Sequence, residues 1–338
     1  VGITDFSIGF GKEIFGWEDK KGTRWKICWI PLGGYVKFFG DRNVFSQAEQ
    51  KNIIKKYSTE DQKKLFILKP LYQRSLIVAA GPLANFFLAI IIFFFMNMFV
   101  GKDFTPAVIN EVQKNSPAFT SGLKKNDVIL SIDGNKVESI LEVSTFINAS
   151  TSKSVEFIVL RNTQEISIFI EPTTVESKDS LGNPAKRKMV GIKLSPLNNE
   201  IKKTKLGPSK AFYYSIKEVL FVITTSLNYL GKMLVGEGDS SQLGGPIKIA
   251  QITGQVAEYG IIPFLGIMAY ISISLGLINL FPIPMLDGGH LMFYFFEKVL
   301  GEPLSQKTQE NFFRIGLFLL FSLMFFVTFN DLKGLGLF

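Results

Sequence analysis

The residues best placed to do chemistry lie in one stretch, Asn279-Leu280-Phe281-Pro282-Ile283-Pro284-Met285-Leu286-Asp287-Gly288-Gly289-His290. It closes an almost uncharged run, Phe264 to Phe281, long enough to cross a bilayer, and it ends in a carboxylate. An Asp at the centre of a membrane helix costs about 3 kcal/mol on insertion scales, so such a residue usually has a partner or a cation. Pro282 and Pro284 carry no N–H and break the helix just ahead of Asp287. Gly288 and Gly289 free the backbone behind it. A broken helix at membrane depth is tolerated where it lines a cavity or is buried in protein. Spacing alone leaves two readings: one rigidly presented acid facing a polar pocket, or a helix that ends at the interface with Asp287 solvated. His290, the single histidine of the chain, suits a structural place near a turn.

The elements that must position this carboxylate sit in a chain of 338 residues, enough for about two or three units. Mean hydropathy is +0.24, and 33 Phe is far above ordinary usage, which points to lipid contact more than to a large soluble core. The lone Cys28 excludes an internal disulfide framework. The formal charge of +8 is spread among acids with no long basic block, so a membrane surface is a simpler partner than nucleic acid. The sequence opens on Val1 with no signal-peptide pattern, which raises the expectation of a further segment upstream.

Residues 1–75 begin with Gly, aromatic and aliphatic residues in alternation, Phe6-Ser-Ile-Gly-Phe-Gly11, Trp25-Lys-Ile-Cys-Trp-Ile30 and Pro31-Leu-Gly-Gly-Tyr-Val-Lys37. They read as a hairpin turning at Gly22 and ending at Gly33-Gly34. A hairpin this rich in Trp and Phe suits the membrane interface, and an ordinary soluble sheet is the other reading. Asp41 to Arg74 reads as a polar, Lys-rich cytoplasmic loop with helical content. The uncharged Leu76 to Val100 reads as a spanning helix, with Asn85 one turn below Pro82. Lys63, Lys64, Lys69 and Arg74 precede it, which places residues 1–75 inside and the chain beyond the helix outside.

Residues 101–195 have the character of a soluble α+β domain. Strands are predicted at Val108–Val112, Val128–Ile132, Val155–Arg161 and Ile166–Ile170, with a helix near Leu141–Asn148. The phrase NSPA…SGLKKNDVILSIDGNKV resembles a PDZ domain of the bacterial protease type, and Val190-Gly191-Ile192 resembles the strand that takes a peptide carboxylate in such domains. Residues 196–260 read as a Lys-rich linker, an apolar segment at 211–235 and a Gly244-Gly245-Pro246-Ile247 loop. With Lys217, Glu218 and Lys232 that segment reads as a span or an amphipathic interfacial helix. Topological parity, in which one further crossing at 264–281 brings Asp287 to the cytoplasmic side, favours the interfacial helix. Residues 261–290 form a second span carrying the Asp287 motif, 291–311 a cytoplasmic loop, and 312–338 a last span and the C-terminus.

Taken in order, SIGFG…IPLGGYVK, GPLAN, the PDZ-like unit, GGPIKIA, NLFPIPMLDGGH and a final span resemble the bacterial site-2 intramembrane zinc metalloproteases of the RseP type, family M50. The resemblance implies that Asp287 is the third protein ligand of a catalytic Zn2+ and that Asn279, Pro282 and Pro284 lie beside substrate. Contacts to substrate are also expected at Asn85, Gly245 and Pro246 and, on the hairpin, at Gly33, Gly34 and Tyr35. In that family two His of an H-E-x-x-H helix complete the ligands, and its Glu is the general base. Three such ligands leave a fourth position for water. This sequence contains no H-E-x-x-H, so the catalytic base is not assigned and the fragment is expected to be inactive alone. The implied protein is an α-helical membrane protein of the inner membrane, with an interfacial β-hairpin and one external PDZ-like domain. It would cut single-span membrane proteins such as trimmed anti-sigma factors or signal-peptide remnants. The alternative is a non-catalytic membrane adaptor presenting a PDZ domain. A transporter with a broken helix would call for more spans and an internal repeat.

Overall fold

The computed structural model describes residues 1–39, 57–150, 152–178, 184–196, 200–236 and 243–335. Much of the expected loop at 41–74 lies outside the described residues. Its described part includes one helical turn, Thr59–Gln62. The long helices are α1 (Leu71–Phe99), α2 (Pro208–Leu234), α3 (Pro246–Glu258), α4 (Ile261–Asn279), α5 (Asp287–Leu300) and α6 (Gln306–Gly334). Of these, α1, α4 and α6 are long and apolar enough to cross a membrane. The chain divides into two compact units, Val1–Leu83 with Ile278–Leu320, and Ala84–Leu277 with Phe321–Phe338.

The first unit opens with the strands β1 (Ile3–Glu18) and β2 (Arg24–Phe38). Their turn is built by Asp19, whose carboxylate accepts from the amides of Lys21 and Thr23, and by Gly22 at φ 80°. The second half of β1 pairs with the start of β2, Trp17 opposite Trp25, while its first half is paired twice, Phe6 with both Trp25 and Val36 and Ser7 with both Lys26 and Tyr35. Strand β2 therefore does not end at Gly33-Gly34, as the sequence predicts, but runs on to Phe38. The reason is local: a Cβ on Gly34 would lie 2.3 Å from the Ser7 carbonyl oxygen, so only glycine lets the two backbones meet there. The Lys26 ammonium, 2.6 Å from Asp5, holds that carboxyl below the usual carboxylate range. Trp17, Trp29, Phe15 and Ile14 remain exposed.

Where the sequence reads a loop at 291–311, the structure continues as helix α5 to Leu300. Gly301, at φ 78°, closes it by donating its N–H to the Glu297 carbonyl. Helix α6 starts at Gln306 and is longer than its apolar core, because its polar first turns are helical too.

The second unit contains a sheet domain with strand order β7-β3-β4-β5-β6, where β3 is Ala107–Val112, β4 Val128–Ile132, β5 Val155–Arg161, β6 Gln164–Ile170 and β7 Ile192–Ser195. Residues of these strands, Ile109, Ile129, Ile132 and the alternating Val155 and Phe157, form one core with Phe146 and Ile147 of the helix Glu142–Ala149. The buried Asp127 takes both prongs of Arg161, each at 2.7 Å. Helix α2 touches this domain along its length. Lys217 meets Glu138 at 3.1 Å, the Phe221 ring meets Phe146 at 5.3 Å, and the Lys232 ammonium donates to the Ser150 carbonyl. Both ends of α2 thus meet one domain, which sets the helix alongside it. Its other face, through Val219, Val222 and Ile223, packs with Ala89 and Phe93 of α1 and Ala269 and Ile273 of α4.

Candidate active site

Helix α4 ends at Asn279, and the chain turns through Leu280–Leu286 before α5 begins at Asp287. Pro282 and Pro284 cannot donate, so the turn is held by few amides: Phe281 to the Ile278 carbonyl at 3.0 Å, Ile283 to Phe281 at 2.7 Å, and Leu286 to Ile283 at 3.0 Å. Met285 adopts φ 91°, a conformation that bulky L residues rarely take. Close packing keeps it there. A Cβ on Gly288 would lie 2.2 Å from the Leu280 carbonyl oxygen, one on Gly289 2.4 Å from that of Ile283, and one on Gly316 of α6 2.1 Å from that of Pro284. These glycines let the turn lie directly against α5 and α6, and backbone strain supported by such packing is typical of functional sites.

The turn delivers Asp287 as the first residue of α5, half-buried. A Cβ on Gly81 of α1 would stand 3.3 Å from its Oδ2, so the carboxylate sits against a bare stretch of α1 backbone. Among the described residues its oxygens accept no hydrogen bond. His290, one turn on, packs its ring near Phe293 and Phe313 at 6.4 and 5.8 Å, which suits a structural role. Among the described residues no three His, Cys, Asp or Glu side chains converge as a metal group. Asp287 offers one carboxylate where a catalytic zinc takes three protein ligands. The described residues therefore do not make a zinc site by themselves.

Other expected residues fall in several places. Asn279 ends α4, and Pro282 and Pro284 lie in the turn. Gly33, Gly34 and Tyr35 lie in β2, where Tyr35 has the Lys26 ammonium 5.6 Å from its ring and Gly34 is pressed on Ser7. The backbone carbonyl of Asn85 accepts from Ser272 Oγ of α4 at 2.9 Å. Val190, Gly191 and Ile192 lead into β7; the Val190 carbonyl accepts from the Ala118 amide and that of Gly191 from Gln113, each at 2.9 Å.

Gly245 and Pro246 belong to a helix start and not to a loop. Gly245 is the N-cap of α3 and Pro246 its first residue. The cap comes from Asp331 of α6, whose carboxylate accepts from the amides of Gly245, Ile247 and Lys248 at 2.8, 3.0 and 3.1 Å. The sequence reading assigns Asp331 no role within its last segment, 312–338. Its signal would have been an acid placed just after an apolar run, with no base beside it.

The sequence pattern of Peptidase family M50 matches residues 1–323. A protein named "Putative zinc metalloprotease" from Agrobacterium fabrum is 40% identical over 98% of this chain and 88% of its own length. One of the same description from Mesorhizobium japonicum is 37% identical over 99% of this chain and 91% of its own. Metalloprotease MmpA of Caulobacter vibrioides is 33% identical over 100% of this chain and 89% of its own. Among solved structures, the PDZ domain of an SdrC-like protein from Listeria monocytogenes is 25% identical over 26% of this chain and 85% of its own, with a TM-score of 0.20.

Proposed function

The chain belongs to peptidase family M50, and on that premise we propose that it is a site-2-type zinc endopeptidase cutting single-span membrane proteins within the bilayer. Relatives named as zinc metalloproteases supply the reaction class. The observation that carries the site is Asp287: a carboxylate at the start of α5, one turn segment beyond the apolar helix α4, free of hydrogen bonds among the described residues, and facing the bare backbone of Gly81. In this reading Asp287 is a zinc ligand, and Asn279, Pro282 and Pro284 meet the substrate. Substrates are trimmed anti-sigma factors or signal-peptide remnants in an inner membrane.

The rest of the molecule serves delivery. The exposed Trp and Phe of the hairpin suit the membrane interface. The sheet domain acts as a PDZ domain on the outer side. Among the described residues its strand β7 has β3 as its one neighbour in the sheet, which leaves an edge for an extended peptide end.

The test is Asp287→Asn in the full-length protein, reconstituted with a model single-span substrate and zinc. The neutral amide is a poor zinc ligand and presents donors where the site needs acceptors. Cleavage and bound zinc should both be lost, with unchanged membrane yield and unfolding temperature. A variant that cleaves at the native rate removes Asp287 from the active site.

A further inference from the structure

Helices α1 and α5 meet a second time, away from Asp287. The Arg74 guanidinium grips the Glu297 carboxylate with two prongs, Nη1 to Oε2 at 3.2 Å and Nη2 to Oε1 at 2.5 Å. The same group lies 5.0 Å from the Tyr294 ring centroid and gives Nε to the Lys69 carbonyl at 3.1 Å. Both side chains are largely buried, 12% and 17% exposed. Arg74 and Gly81 lie about two turns apart on one face of α1, and Asp287 and Tyr294 are spaced likewise on α5. Gly81 faces the first residue of α5, and Arg74 faces its end. The two contacts therefore lie on one seam between antiparallel helices.

The charges on this seam sit where their own helices disfavour them. Arg74 is near the N-terminus of α1, the partly positive end, and Glu297 is in the last turn of α5, the partly negative end. Neither placement stabilises the helix that carries it, so the benefit must lie between the helices. A planar fork on a carboxylate fixes both separation and rotation, which the point charge of a lysine does not. We propose that Arg74, Glu297 and Tyr294 form a register lock that sets the depth and rotation at which α5 presents Asp287 beside Gly81. Arg74 and Glu297 are then positioning residues for cleavage, an inference that rests on Asp287 belonging to the active site. A slip of one residue would move Asp287 by about 1.5 Å along the seam, and a misplacement of that order costs about 100-fold in rate.

Arg74 also adds to the positive charge at the N-terminal end of α1, of the kind that orients a span. Arg74→Lys keeps that charge and removes the fork, so it separates the two roles. The experiment measures zinc-loaded, full-length protein in proteoliposomes as four variants: Arg74→Lys, Glu297→Gln, the reversed pair Arg74→Glu with Glu297→Arg, and Asp287→Asn. The two single changes on the lock should lower kcat by about 10- to 100-fold with KM within about twofold, because substrate contacts lie elsewhere. The reversed pair should return kcat to within about threefold of native. Its unfolding temperature should be no lower than native, since each charge now sits at the helix end that favours it. Lys63, Lys64 and Lys69 remain to orient the span. Native kcat in both single variants, or a reversed pair as slow as they are, overturns the lock. So does a loss confined to yield and thermal stability, with kcat per folded molecule unchanged. If Asp287→Asn is inactive while Arg74→Lys is native, the lock alone has failed; if Asp287→Asn cleaves normally, the active-site reading has failed and the lock has no site to position.

Discussion

Asp287 and Asp331 both stand at the start of a helix beside a Gly and Pro turn, and they differ in what their oxygens touch. The Asp331 carboxylate is 6% exposed and gives its acceptor capacity to three amides of the first turn of α3. Those amides would otherwise be orphan donors at a helix terminus, so Asp331 is used up by structure. Asp287 is itself the first residue of its helix, and among the described residues it accepts nothing. The turn ahead of it is held instead by carbonyls resting on Gly288, Gly289 and Gly316, which costs the carboxylate none of its lone pairs. The Gly-Pro signature therefore does not mark chemistry. An acceptor left over after the backbone has been satisfied does.

The largest effect that can break this comparison comes from Asp331→Ala. Removing the cap takes the acceptor from three amides of a partly buried helix start and should lower stability by about 2 kcal/mol, read as an unfolding shift in detergent. Cleavage per folded molecule should survive, in contrast to Asp287→Asn. Loss of cleavage at native stability would place both carboxylates in one functional class and dissolve the distinction.

A second effect sharpens it on the hairpin, where the same question concerns a backbone. Gly34 is expected from sequence to meet substrate; it is exposed, and the direction its Cβ would take is filled by the Ser7 carbonyl. Gly34→Val should therefore loosen the pairing of β1 with β2 and cost about 2 kcal/mol. Rates on a helical single-span substrate and on a soluble extended peptide should fall by the same factor. A selective loss on the helical substrate would return Gly34 to substrate binding.

These cases show which parts of the molecule are legible in the sequence. The apolar cores of α1, α4 and α6 are legible, because lipid-scale hydropathy is a local property of a segment. So is the break ahead of Asp287, because a proline removes its donor wherever the chain folds. The Gly22 turn comes from the backbone freedom of a single residue. What escapes is pairing at a distance. Arg74 and Glu297 are 223 residues apart in the chain, and neither carries a sign of the other. Gly245 reads as a loop because its cap arrives from α6. Helix α5 has proper boundary signals in Asp287 at its start and Gly301 after its end, but a reading by spans ends the element at 290 and leaves 291–311 as a loop.

The smallest effect tests the comparison inside the apolar helices, where an unpartnered group should be most costly. The Asn85 carbonyl already belongs to the backbone ladder of α1, and it takes a second hydrogen bond from Ser272 Oγ of α4. A carbonyl has two lone pairs, so this bond adds a link between helices without rescuing an orphan. Ser272→Ala removes the donor and leaves the acceptor still paired within its own helix. The expected cost is about 0.6 kcal/mol, the average for hydrogen bonds between membrane helices, and not the several kcal/mol of an unsatisfied group. Reversible unfolding of the two proteins in the same mixed micelle measures the difference. A cost several times larger would mean that the Asn85 carbonyl depends on Ser272, and that partner counting at this seam must start from the side chain instead of the helix ladder.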